Sequence, residues 1–138
     1  VDLPLPVSIP ADYVADRDTR LRLYRRMADL RSLTEIEMLA EEFADRFGPL
    51  PETLDNLLVS LKIKILAEKA GLVSVSNESG QVVFRFPALP EGAPPRAFPQ
   101  LDGLSGYNLR TGKNALWMPV GNQPEWVQRI LDVLQALA

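Results

Sequence analysis

Arg110-Thr111-Gly112-Lys113-Asn114 places Gly-Lys ahead of a polar residue, the order in which a phosphate-binding loop presents backbone N–H groups, a lysine and a magnesium-holding hydroxyl. The spacing does not complete that loop. Five residues rather than four separate Gly106 from Gly112, and Asn114 stands where Ser or Thr is required. The segment reads as a hairpin turn, and Gly103 with Gly106 adds only a weaker glycine signal. Glu41, Glu42 and Asp45 form the second candidate, a carboxylate group that in principle serves acid–base chemistry or a hard cation. They fall opposite the apolar stripe of a helix and should face water, without the desolvation that catalysis demands. With no His and no Cys in the chain, imidazole bases, thiol nucleophiles, His- or thiolate-bound zinc and disulfides are also excluded. The sequence therefore assigns no catalytic residue, no metal site and no cofactor to this chain.

Charge separation is the more informative signal. Residues 17–31 hold six arginines against Asp18 and Asp29, net +4, and residues 35–55 hold seven acids against Arg46, net −6. Two solvated helix faces with some mutual pairing would explain this, and exposed pairs are worth only about 0–1 kcal/mol. The functional alternative makes Glu42 and Asp45, spaced i, i+3, an acidic docking patch for a basic partner, with Arg46 supporting it locally. Arg22, Arg25 and Arg26 form a secondary basic patch for phosphate or an acidic partner. The whole chain, with 15 Lys plus Arg against 18 Asp plus Glu, has a net charge of −3, which argues against a general nucleic-acid or anionic-membrane surface.

The elements that position these residues follow from periodicity. Leu3, Leu5, Val7 and Ile9 alternate with polar residues and prolines, predicting an edge strand or an extended arm over 1–12, since Pro4 and Pro6 lack N–H donors. Pro10 and Asp12 turn the chain. From about Asp16 the period becomes helical, with Leu21, Leu23, Tyr24, Met27, Ala28 and Leu30 in a wide apolar arc. A second helix starts near Ser32–Thr34, where two capping-box spacings occur, buries Ile36, Leu39, Ala40, Phe43 and Phe47, and stops at Gly48-Pro49. A third follows Pro51, with Leu54, Leu57, Leu58, Leu61 and Ile65 as its stripe, and ends at Gly71.

Residues 72–76 and 81–86 read as a hairpin, 87–99 as a Pro-rich connection, and 107–110 with 115–118 as two further strands. Pro124 opens a closing helix in which Trp126, Val127, Ile130, Leu131, Leu134 and Leu137 are spaced for burial. Trp117 and Trp126 read as core aromatics. The expected fold is α+β: N-terminal edge strand, three helices, short antiparallel strands and a closing C-terminal helix. At 138 residues this is expected to be one domain, with a helical part over 13–71 and strands plus closing helix over 72–138. The sequence shows no membrane span or signal peptide and is expected to be soluble and cytoplasmic. Its start at Val1 suggests a piece of a longer polypeptide.

Three segments then carry a family likeness: Ile9-Pro10-Ala11-Asp12-Tyr13, Arg20-Leu21-Arg22-Leu23-Tyr24-Arg25-Arg26, and Glu42-Phe43-Ala44-Asp45-Arg46-Phe47-Gly48-Pro49-Leu50-Pro51. Together they resemble the C-terminal domain of bacterial transcription-repair coupling factors, the Mfd family. The likeness is strongest through about residue 71, and the second half fits by order of elements. It implies a parent protein that binds stalled RNA polymerase, dislodges it with an ATP- and magnesium-dependent double-stranded-DNA translocase, and recruits UvrA. The translocase motifs belong to other domains of such a parent. For this piece the resemblance implies regulation: packing on the N-terminal UvrA-binding region and masking it until polymerase is engaged, with Glu42, Asp45 and Arg46 at the interdomain contact. The same likeness implies that Phe47, Gly48 and Pro49 set the local turn. A nucleic-acid accessory module using the first helix's arginines is the alternative, and a small carboxylate enzyme a third.

Overall fold

A computed structural model of the chain describes residues 1–120 and 125–138. The described residues form two compact units, Leu5–Ile65 and a second made of Val1–Pro4 with Leu66–Ala138. Helices α1 (Arg17–Ala28), α2 (Leu33–Phe47) and α3 (Glu52–Lys69) come first in the chain. Strands β1 (Ser74–Glu78), β2 (Gln81–Arg85), β3 (Arg110–Thr111) and β4 (Ala115–Pro119) and helix α4 (Trp126–Leu137) follow, so the fold is α+β.

In the helical unit each helix starts where local hydrogen bonding dictates. Asp16 caps α1: its carboxylate accepts from the Thr19 N–H at 3.1 Å and from the Thr19 hydroxyl at 2.6 Å, which holds its pKa below the ordinary carboxylate range. Of the two capping boxes at α2, Ser32 with Glu35 is the one formed; the Ser32 hydroxyl accepts from the Glu35 N–H at 3.2 Å. Gly48 ends α2 with φ 93°, and Pro51 offers its carbonyl to the N–H groups of Leu54 and Asp55 just ahead of α3. One core joins Ile9, Val14, Leu23, Met27, Ile36, Leu39, Phe43, Leu54, Leu58 and Ile65.

The wide apolar arc expected for the first helix narrows to Leu23 and Met27; Leu21 and Tyr24 are exposed. The Tyr24 ring gives up burial for a hydrogen bond, its hydroxyl accepting from the Ile9 N–H at 2.6 Å. Tyr13 is a further tie to the helices, beside the Ser8 N–H that donates to the Thr53 carbonyl at 3.2 Å and the Asn56 amide that donates to the Pro6 carbonyl at 3.1 Å. Its hydroxyl reaches the carbonyls of Gly48 at 2.7 Å and Phe43 at 3.0 Å, and its ring lies 6.3 Å from Phe43 and 5.7 Å from Phe47.

In the second unit the sheet order is β1-β2-β4-β3, antiparallel throughout. The hairpin loop is tighter than the pattern suggested: Ser79 and Gly80, at φ 52° and 77°, make the whole turn, and both flanking residues join the strands. Val82, Val83 and Phe84 are all buried, as befits a strand with a neighbour on each side and cover on both faces. The N-terminal segment meets this sheet at one bridge, Asp2 with Ser76. The Asp2 N–H donates to Val75 at 2.8 Å and its carbonyl accepts from Asn77 at 3.0 Å. Beyond it Pro4 and Pro6 have no N–H to offer, so the remainder is an extended arm and not a paired strand.

Of the strand expected over 107–110 only Arg110 is strand; Tyr107 ends a helical turn, and Asn108 and Leu109 connect the two. A 3₁₀ stretch spans Pro99–Tyr107, and Asn108 at φ 55° reverses the chain, leaving only Arg110 and Thr111 to pair with β4. The stretch is tied to α4 by the Tyr107 hydroxyl, which donates to Asp132 at 2.6 Å. That bond raises the Tyr107 pKa and lowers that of Asp132. Gly112 makes the β3–β4 turn, donating to the Ala115 carbonyl at 2.8 Å. A Cβ there would lie 2.5 Å from the Trp117 ring, so a close aromatic neighbour accounts for this glycine. Trp117 and Trp126 are half-buried and do not form the core expected of them. Ile130, Val133 and Leu134 bury the inner face of α4, and Pro124, expected to open this helix, lies outside the described residues.

Tyr13→Phe removes the hydroxyl and leaves two carbonyls short of a donor, so urea denaturation should show a loss of about 1 kcal/mol. Arg85 and Ser76 hold the Glu78 carboxyl at about 2, well below its ordinary 4.5. A lowered folded pKa contributes stability above the unfolded value and loses it as pH falls toward the folded one. Thermal melts of wild type and Glu78→Gln should therefore differ at neutral pH and converge between about pH 4.5 and 2.

Candidate functional site: the outer face of the second helix

Burial of Ile36, Leu39 and Phe43 sets the rotation of α2, and the helix period then turns Glu35, Met38, Glu42 and Asp45 outward in one row with 3, 4, 3 spacing. Glu35 and Asp45 are exposed; the Glu42 side chain is 37% accessible and is engaged. Arg26, on the last turn of α1, donates to the Glu42 carboxylate across the two helices, with its own side chain 51% accessible. Arg46 lies 4.9 Å from the centre of the Phe47 ring, a cation–π contact within α2.

The structure divides the arginines grouped by sequence. Arg22 and Arg25 line a surface depression of about 440 Å³ together with Leu21 and Asp18. Arg26 lines another, of about 210 Å³, with Asp29, Leu30, Glu35 and Met38. One member of the basic group thus belongs to the acidic face, and the oppositely charged helices meet through it. Met38 is the residue that sequence reasoning missed. The available signal was an apolar residue in the polar row, four positions before Glu42 and off the Ile36–Leu39–Phe43 stripe.

Chemically, this face suits recognition. It offers carboxylates to a guanidinium or ammonium group, beside an exposed methionine, on a helix fixed from behind. Among the described residues no group of three or more carboxylates is placed to hold a metal ion, and no helix is long and apolar enough to cross a membrane.

Fold and surface together define a small α+β domain with a charged helical face as its candidate site. The chain belongs to the TRCF domain family, whose model matches residues 3–96. It is 31% identical to the transcription-repair-coupling factor of Mycobacterium tuberculosis (strain CDC 1551 / Oshkosh) over 147 aligned positions, covering 100% of this chain and 12% of that protein. Against the transcription-repair-coupling factor of Rickettsia conorii it is 40% identical over 86 positions, 62% of this chain and 8% of the relative. The Escherichia coli (strain K12) protein of the same name is 36% identical over 84 positions, 60% of this chain and 7% of the relative. The chain therefore spans about a tenth of the length of these relatives. A crystal structure of the C-terminal domain of a transcription-repair coupling factor superimposes with a TM-score of 0.79 at 21% identity, covering 99% of this chain and 89% of the other, and shares the fold.

Proposed function

We propose that this chain is a non-catalytic regulatory domain of a transcription-repair coupling factor. In this reading it docks on the UvrA-binding region of the same protein and masks it, restraining an ATP- and magnesium-dependent DNA translocase in the cytoplasm until RNA polymerase is engaged. UvrA, RNA polymerase and DNA are then partners of the parent protein, reached through other domains. The observation that carries the reading is the outer face of α2, where Glu42 and Asp45 share an accessible row and Glu42 already holds an arginine side chain in the undocked chain. A surface that must alternate between docked and free has to be stable in water when released, and charged residues on a well-anchored helix meet that condition. Arg46, stacked on Phe47, restrains the end of the row next to Asp45.

The nucleic-acid reading has less support. Arg26 is engaged by Glu42, and Asp18 shares the depression of Arg22 and Arg25, which reduces the positive potential a phosphate would meet.

Charge reversal tests the masking directly. In the full-length protein, Glu42→Lys with Asp45→Lys should raise both UvrA binding and ATPase activity severalfold, because like charges across a docked contact cost several kcal/mol. Unchanged values for both, with the variant folded, would remove this face from the masking contact.

A further inference from the structure

The row on α2 is acidic with one interruption. Met38 stands 63% exposed between Glu35 and Glu42, and with Leu30 it supplies the apolar part of the depression that Arg26, Asp29 and Glu35 complete. Arg26 both lines this depression and pairs with Glu42. An apolar patch and a charge site therefore adjoin, and the same arginine borders both. We propose that this face takes a basic partner segment carrying an apolar side chain next to its arginine. The apolar group settles against Met38 and Leu30, while the partner's guanidinium takes Glu42 from Arg26. Arg26 is then an internal competitor that occupies Glu42 whenever the partner is away.

Three observations support this chemistry. Glu35, Glu42 and Asp45 in one row repel an acidic partner and attract a basic one. A purely polar partner would leave Met38 and Leu30 wet, whereas an apolar side chain removes them from water. The Arg26–Glu42 pair is exposed on both sides, and such pairs hold by at most about fivefold, so a better-placed guanidinium displaces it readily. Glu42 is paired in both states, and the exchange of one arginine for another keeps the cost of switching small.

The proposal rests on the masking reading and specifies the chemistry of its partner. The test is calorimetric titration of the 138-residue chain, and of three variants, into the UvrA-binding region supplied as a separate chain at one low salt concentration. Met38→Ser changes an exposed residue and should fold, which circular dichroism checks; it should weaken binding by about five- to tenfold. Arg26→Gln frees Glu42 and should tighten binding by about two- to fivefold more than Arg25→Gln, which removes the same charge from α1 without touching the pair. If wild type binds but Met38→Ser binds equally well, or Arg26→Gln and Arg25→Gln act alike, the proposal is overturned and the masking reading stands. If wild type does not bind, both fall.

Discussion

The Tyr13 hydroxyl, shared between the carbonyls of Gly48 and Phe43, ties the arm preceding α1 to the end of α2, and its ring closes over Phe43 and Phe47. Phe43 is 1% exposed and Phe47 half-buried, so the contact joins the inner face of α2 to the residue that leads into the turn. Gly48 permits it: with φ at 93° its carbonyl is directed to Tyr13 while its N–H still completes the helix on Ala44 at 3.0 Å. The constraint fixes the exit of α2 and supports the rotation that burial of Ile36, Leu39 and Phe43 sets. Every property of the outer row depends on that rotation, since a helix turned by one residue, about 100°, would carry Glu42 and Met38 off the side they now share with Arg26.

Electrostatics then decides what kind of surface this is. A net charge of −3 conceals a positive first helix and a negative second one, and the structure joins them at Arg26–Glu42. Ion pairs in contact with water add little to stability, so the pair is better understood as a means of keeping Glu42 occupied than as a staple. Weak, solvated and salt-sensitive contacts suit the proposed role of a surface that docks and releases. The core of Ile36, Leu39, Phe43 and their neighbours anchors the helix from behind.

Periodicity made α1, α2 and α4 legible because each buries one stripe, whereas α3 also buries Ile63, Leu66 and Ala67 off its expected stripe; the capping spacing at Ser32–Glu35 and the Gly48-Pro49 stop were local signals. The hairpin was legible from its β-branched runs. The 3₁₀ stretch was not: Pro99–Tyr107 has no sustained period, and Asn108 reverses the chain through a single left-handed residue. Helical spacing places Leu21 and Tyr24 in the apolar arc but does not distinguish a buried tyrosine from one whose hydroxyl accepts from a distant N–H, as Tyr24 does from Ile9. At the site, Glu42 and Asp45 were readable as an outward pair. The partnership of Glu42 with Arg26 depends on how two helices cross, and Met38 is apolar like its buried neighbours, so only its position off the Ile36–Leu39–Phe43 stripe marks it as exposed.

The central claim, that a charged face of α2 docks reversibly on a basic surface of the parent protein, is tested most directly by the salt dependence of binding between this chain and the separate UvrA-binding region. Screening shortens the reach of charge to about 10 Å at 0.1 M salt and about 3 Å at 1 M. The account predicts measurable binding at low salt and a steep decline in affinity across that range. Affinity that does not change with salt, or no binding at the lowest concentration, would contradict it.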